Sequence, residues 1–276
     1  MHYFAGKVVV VTGAASGIGR ALSMELARRG AKLAISDVDA DGLAETKRLL
    51  EAEGAHVQAD RLDVAEEQAV FLYADKVKEH FGVVHQVYNN AGVTFLGNFE
   101  KSSIKDIERV VDIDFWGVVY GSKAFLPHLI ESGAGHIVNV SSVFGLFSVP
   151  SQTAYNAAKF AVRGFTESLR QELRAARRPV RVTTVHPGGI KTNIVNNAVF
   201  DENYDGARSM RLFHKIALTS PERAANIILN AVSKGRARVL VGPDAKFLDL
   251  FVRATGSWYQ GVMGFVVDRM IPKSTS

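Results

Sequence analysis

Between residue 7 and about residue 241, short runs of β-branched residues alternate with longer stretches whose apolar positions recur every three to four residues. The short runs predict strands over 7–12, 32–36, 56–59, 84–88, 136–140, 181–185 and 238–241. The longer stretches predict helices over 18–29, 40–53, 66–81, 104–130, 153–177 and 221–234. Strands separated by helices assemble into a parallel sheet covered on both faces, so the expected fold class is α/β, a doubly wound seven-stranded sheet. No Gly/Ser linker, low-complexity tract or repeat breaks the pattern, and one domain over 1–276 is expected.

Composition agrees with a folded α/β domain: of 276 residues, 47% are hydrophobic and 22% charged, enough to bury a substantial core. The chain has no cysteine, which excludes disulfides, thiol catalysis and cysteine-ligated metals. Its start, Met1 to Lys7, lacks the basic and long apolar regions of a signal peptide, and a cytoplasmic protein is the expectation. Net charge is +5, which raises nucleic acid or a lipid surface as partners. The positives are scattered, however, apart from Arg163, Arg170, Arg174, Arg177, Arg178 and Arg181, and Glu167 and Glu172 stand among these. A solvated or subunit-facing helix fits that mixture better than a nucleic-acid site.

The first predicted strand runs into Thr12-Gly13-Ala14-Ala15-Ser16-Gly17-Ile18-Gly19-Arg20, where a helical pattern begins. Glycines at such a junction let a pyrophosphate approach the backbone at a helix N-terminus, where free amides and the dipole favour an anion. No Gly-Lys-Ser/Thr follows, which argues for a dinucleotide and against ATP; a tight turn that merely needs glycine is the competing explanation. The second strand ends in Asp37, eighteen residues beyond Gly19. A carboxylate there would accept both ribose hydroxyls of NAD and repel the extra phosphate of NADP. Asp39 and Asp41 are better placed than Asp37 to cap the next helix, and neither Ser16 nor Val38 offers a positive charge to a phosphate.

Tyr155 and Lys159 are four residues apart, so one helical turn would set phenol and ammonium on one face; Ser142 lies thirteen residues before the tyrosine. A phenol titrates near pH 10, and using its anion as a base near neutrality asks for a pKa about three units lower, roughly 4 kcal/mol. A fixed cation beside it acts in that direction. Taken alone, the spacing also suits an ordinary surface pair.

Together these residues resemble the single-domain, Rossmann-type short-chain dehydrogenase/reductase family. The ordered motifs are Gly13/Gly17/Gly19, Asp63-Val64, Asn89-Asn90-Ala91-Gly92, Ser142, Tyr155/Lys159 and Pro187-Gly188, and the resemblance covers residues 7–241. It implies catalysis by Ser142, Tyr155 and Lys159, with Lys159 also on the nicotinamide ribose. It places Gly13, Ser16, Gly17, Ile18, Gly19 and Asp37 on the cofactor, with Asp63 and Val64 at adenine. Asn90, Ala91 and Gly92 would line it further, and Pro187, Gly188, Ile190 and Thr192 would meet its nicotinamide end. A homo-oligomer, tetramer or dimer, is implied by the resemblance alone. Many members carry an asparagine where this chain has Asp114; an aspartate accepts hydrogen bonds but donates none, and its charge near Lys159 would alter the tyrosine's pKa. Retained activity with a shifted pH profile is the expectation.

Apolar residues flank the expected pocket: Val93, Phe95 and Leu96 on one side, Val143, Phe144, Leu146, Phe147 and Val149 on the other. They suggest an apolar secondary alcohol or its ketone, or a lipid-like aldehyde, although core or subunit packing also accounts for the phenylalanines. Residues 193–218 fall where the family carries its substrate lid, with Phe200, Tyr204, Met210 and Phe213 as candidate contacts. Residues 243–276 form a C-terminal extension in which Phe247, Phe251, Trp258, Val262, Phe265 or Val266, and Met270 recur at helical spacing, interrupted by Gly256, Gly261 and Gly264. Lid or subunit packing is the first reading of this tail and peripheral membrane contact the second. The activity expected is therefore NAD-dependent interconversion of an alcohol and its carbonyl. An NADP-dependent reductase and a non-catalytic dinucleotide-binding protein are the alternatives.

Overall fold

The computed structural model describes residues 3–192, 199–200, 211 and 217–270. The candidate lid residues Tyr204, Met210 and Phe213, and the side chains of Val266 and Met270, lie outside this description.

The first half alternates β1 (Val8–Thr12), α1 (Gly17–Arg28), β2 (Lys32–Asp37), α2 (Ala40–Ala52), β3 (Val57–Arg61), α3 (Glu67–Phe81) and β4 (Gln86–Asn89). The second half contains β6 (Gly135–Val140), α6 (Thr153–Ala175), β7 (Val180–Pro187), α7 (Pro221–Ser233) and β9 (Arg238–Val241). The seven strands form one parallel sheet in the order β3-β2-β1-β4-β6-β7-β9. Its direction of winding reverses between β1 and β4, which opens a crevice at their C-terminal ends. Val8 to Val11 of β1 are all buried, because helices cover both faces of the sheet. One face packs Val9, Val11, Leu33 and Ile35 against Leu22 and Leu26 of α1 and Ile228 of α7. The other packs Val10, Val87 and Ile137 against Val77 of α3 and Phe125 of α5 (Gly117–Glu131).

Two departures from the sequence reading bear on function. The helix expected over 104–130 is divided: α4 (Ile104–Val111) passes through a π-helical turn, Asp112–Trp116, before α5 begins. The wide turn carries Asp114 inward, where it is fully buried, and Gly117 lets the chain press on Val64, since a Cβ there would stand 2.8 Å from Val64 Cγ2. A second, two-stranded parallel sheet pairs β5 (Phe95–Leu96) with β8 (Val199–Phe200), with Leu96 opposite Phe200. A predicted lid residue thus lies against a predicted pocket residue.

The C-terminal extension forms α8 (Pro243–Thr255), a 3₁₀ turn (Gly256–Trp258) and α9 (Tyr259–Met270). Ala245, Phe251, Tyr259 and Met263 pack on Val143, Leu146 and Phe147, while Phe247, Trp258 and Phe265 remain exposed. Among the described residues, no helix is long and apolar enough to cross a membrane.

Candidate active site

The glycine turn between β1 and α1 brings two predicted motifs together. Gly13 has φ +67°, and a Cβ on it would stand 2.7 Å from Ala91 Cα; Gly19 faces the Gly13 carbonyl and Asn90 Nδ2. The asparagine segment is sewn to β1: the Asn90 and Ala91 amides donate to Thr12 Oγ1 at 3.0 and 3.1 Å, and Asn90 Nδ2 donates to the Thr12 carbonyl at 2.9 Å. These contacts explain the glycines as close backbone approach at the crevice, beyond the demands of a turn. Gly13→Ala meets both the strained φ and the backbone of Ala91. It is expected to destabilise the protein by roughly 2 kcal/mol or more and to abolish nicotinamide-dinucleotide binding, read by thermal unfolding and NADH fluorescence.

Asp37 at the end of β2 accepts the Ala15 amide at 2.8 Å and the Asp39 amide at 3.0 Å, so its carboxylate stands at the rim of the glycine turn. Helix α2 is capped by Asp39, which accepts from the Gly42 amide at 3.1 Å. Arg20 braces the turn from behind, donating to the Ala15 carbonyl, to Thr46 Oγ1 at 2.8 Å and to the Gly42 carbonyl at 3.1 Å. Ser16 is the N-cap of α1 without a side-chain capping bond, and Ile18 follows in the first turn of that helix. Asp63 accepts the Ala65 amide at 3.0 Å.

Tyr155 and Lys159 occupy one face of α6 and are both buried, with the ammonium 5.4 Å from the phenol ring centroid. Lys159 Nζ forms a 2.9 Å ion pair with Asp114 Oδ2, and Asp114 Oδ1 accepts the Val93 amide at 2.7 Å. The π-helical turn, the asparagine segment and α6 therefore meet at one carboxylate; a Cβ on Gly92 would lie 3.3 Å from both Asp114 Oδ1 and Lys159 Nζ. Ser142 lies two residues past β6 in extended conformation, capping a short 3₁₀ turn, and its hydroxyl accepts the Phe144 amide at 3.1 Å. Ser141, the neighbouring serine, instead donates to the Lys159 carbonyl at 2.8 Å and supports the helix. His186 Nδ1 lies 2.9 Å from the Ser142 carbonyl, which can only accept, so the ring proton sits on Nδ1. Burial lowers the His186 pKa to about 4, so it stays neutral near pH 7.

Electrostatics revise the expectation of a depressed phenol. Burial raises the Tyr155 pKa, the Lys159 charge opposes it, Asp114 raises it again and the Ser142 hydroxyl lowers it; the net direction is upward. Burial also pushes Asp114 up against the pull of Lys159, while Lys159 is raised because Asp114 and Tyr155 together outweigh its own desolvation. The cation expected to depress the tyrosine is thus largely committed to Asp114.

The predicted pocket residues divide into two groups. Val93, Phe95 and Phe144 share an apolar cluster with Tyr155, and the Phe144 ring meets Tyr155 edge-on at 6.3 Å. Val143, Leu146, Phe147 and Val149 belong with the C-terminal helices instead. After β7, Gly188 donates to the Val241 carbonyl at 2.9 Å, Ile190 is buried beside Thr219, and Thr192 Cγ2 would be 3.2 Å from a Cβ on Gly17. This loop, which continues from Pro187, reaches back to the first glycine turn. Thr12, Arg20, His186 and Asp244 were not singled out by the sequence; Thr12, His186 and Asp244 act through hydrogen bonds to distant backbone, which leave no local spacing, and Arg20 joins the Ala15 carbonyl to Thr46 and Gly42 of α2.

A doubly wound parallel sheet with a glycine turn at its switch point, and a buried Ser-Tyr-Lys group beside it, defines a nicotinamide-dependent oxidoreductase acting on CH–OH groups. The chain belongs to the short-chain dehydrogenase/reductase family: a family model described as short chain dehydrogenase matches residues 7–203. A Mycobacterium tuberculosis protein that carries the name oxidoreductase SadH is 59% identical over 273 residues, spanning 99% of each chain. Mouse dehydrogenase/reductase SDR family member 7B is 33% identical over 91% of this chain and 78% of its own. A short-chain dehydrogenase/reductase from Burkholderia phymatum, solved in complex with NAD, superposes with a TM-score of 0.87 at 33% identity, covering 94% of this chain and 97% of that one.

Proposed function

We propose that the protein is an NAD-dependent dehydrogenase or carbonyl reductase that interconverts an apolar secondary alcohol and its ketone, with Tyr155 as the acid/base. The observation that carries this reading is the buried Ser142, Tyr155 and Lys159 group at the sheet's C-terminal edge, beside the Asn90 to Gly92 segment. The nicotinamide supplies or accepts the hydride at its ring when bound. In reduction, Tyr155 gives its phenolic proton to the carbonyl oxygen as hydride arrives at the carbonyl carbon; in oxidation it takes the alcohol proton back. Ser142 holds the reacting oxygen by hydrogen bonding, and Lys159 supports the phenolate and binds the nicotinamide ribose. Val93, Phe95 and Phe144 around the phenol favour an apolar substrate that brings no charge into a dry site.

Asp37 supports NAD over NADP, because a 2′-phosphate would meet its carboxylate at the rim of the glycine turn. The Burkholderia relative solved with NAD supports the same choice. Fluorescence titration is expected to give at least about tenfold tighter binding of NADH than of NADPH, a difference of roughly 1.4 kcal/mol. Preference for NADPH would overturn the Asp37 argument and leave the reductase alternative. A panel of apolar ketones and alcohols then tests the substrate class.

A further inference from the structure

We propose that Asp244, on the first turn of α8 and beyond the residues matched by the family model, is a positioning residue that fixes the 188–192 loop against the glycine turn and thereby sets the cofactor gap. The inference deepens the cofactor reading above and rests on it.

The geometry is specific to this side chain. Asp244 Oδ2 accepts the Gly189 amide at 2.6 Å, and its Oδ1 is buried without a hydrogen-bond partner. Neither Gly188 nor Gly242 has room for a Cβ, because the Asp244 carboxyl fills the space in front of both. Three other loop amides are held by backbone: Gly188 by the Val241 carbonyl at 2.9 Å, Lys191 by the Thr219 carbonyl at 2.9 Å and Thr192 by the Ile190 carbonyl at 2.8 Å, while the Gly189 carbonyl accepts the Thr219 amide at 3.3 Å. The Gly189 amide, by contrast, is held by a side chain from the C-terminal extension. Three residues further on, the Thr192 methyl faces Gly17 on the opposite wall of the crevice, 3.2 Å from where a Cβ on Gly17 would stand. A loop released at Gly189 would shift both Ile190, buried beside Thr219, and Thr192, so the wall facing the glycine turn would lose its fixed distance. A charged acceptor at a backbone amide is among the stronger hydrogen bonds available for such a task.

Two variants separate this role from general support of the fold. Asp244→Ala removes the acceptor; Asp244→Asn keeps an oxygen for the Gly189 amide and the same shape. In cofactor-free protein, amide hydrogen exchange over 188–192 is expected to rise at least tenfold in Asp244→Ala and to stay near wild type in Asp244→Asn. Exchange at Asn90, anchored by Thr12, stays unchanged in both. NADH titration is expected to show about tenfold weaker binding for Asp244→Ala, with rescue to within threefold by Asp244→Asn. Unchanged loop exchange in Asp244→Ala would overturn the clamp, and altered exchange with wild-type NADH affinity would overturn its link to the cofactor. Wild-type protein that binds neither NADH nor NADPH would defeat the cofactor reading instead, while the exchange measurement still judges the clamp.

Discussion

Tyr155→Phe is expected to lower turnover of an apolar ketone by about 10³-fold, within the range that a positioned general acid supplies, while NADH binding stays within about threefold of wild type. The change removes one oxygen from a side chain whose ring is packed edge-on against Phe144 and among Val93, Phe95 and Ala158. Phenylalanine keeps that packing, so the thermal midpoint should stay close to wild type and the loss will report on chemistry. Nothing else in the group can replace the phenol. The Ser142 hydroxyl can hydrogen-bond the substrate oxygen but is a far weaker acid than a phenol, Lys159 is paired with Asp114, and His186 is turned to the Ser142 carbonyl. Turnover within tenfold of wild type would remove Tyr155 from the reaction. A protein that binds NADH but turns over no ketone or alcohol in either form would favour the non-catalytic alternative.

The sheet and its helices were legible because burial on both faces imposes apolar runs such as Val8 to Val11, and covering helices repeat at three to four residues. The Tyr155 and Lys159 pair was legible because a single helix sets its geometry. The π-helical turn at Asp112–Trp116 was not, since one wide turn inside a helical stretch leaves the apolar period almost intact. Thr12 and Asp244 were hidden for another reason: each acts on backbone amides tens of residues away, Thr12 on Asn90 and Asp244 on Gly189. Such bonds depend on the assembled sheet edge and have no sequence spacing of their own. Phe147 and Leu146 show the converse case, in which the sequence left a pocket wall and ordinary packing both open. Apolar character alone does not say which neighbour a side chain meets; in the structure they pack with Tyr259 and the C-terminal helices, with the Tyr259 hydroxyl accepting the Ser148 amide at 3.1 Å.

Asp114 determines how much of the Lys159 charge reaches the tyrosine, so Asp114→Asn should change the pH dependence more than the rate. In the native site, burial and Asp114 hold the phenol above its ordinary pKa, and it is protonated at neutral pH. That state donates a proton, which suits reduction; oxidation needs the phenolate and therefore gains with rising pH. Removing the carboxylate charge leaves the Lys159 ammonium opposed only by burial, so the Tyr155 pKa falls. The rising limb of oxidation and the falling limb of reduction should both move to lower pH, because both report the same proton. His186 does not confuse this window, since it is held neutral down to about pH 4. Stability should also drop, on the order of 2 kcal/mol, below the roughly 3–5 kcal/mol seen when a buried pair loses one partner outright, because the amide oxygen can still accept the Val93 amide. The check is kcat/KM against pH in both directions, alongside thermal unfolding. Coincident profiles for wild type and Asp114→Asn would show that the carboxylate serves the fold alone; a shift to higher pH would mean that the charge on Lys159, rather than that on Tyr155, limits the reaction.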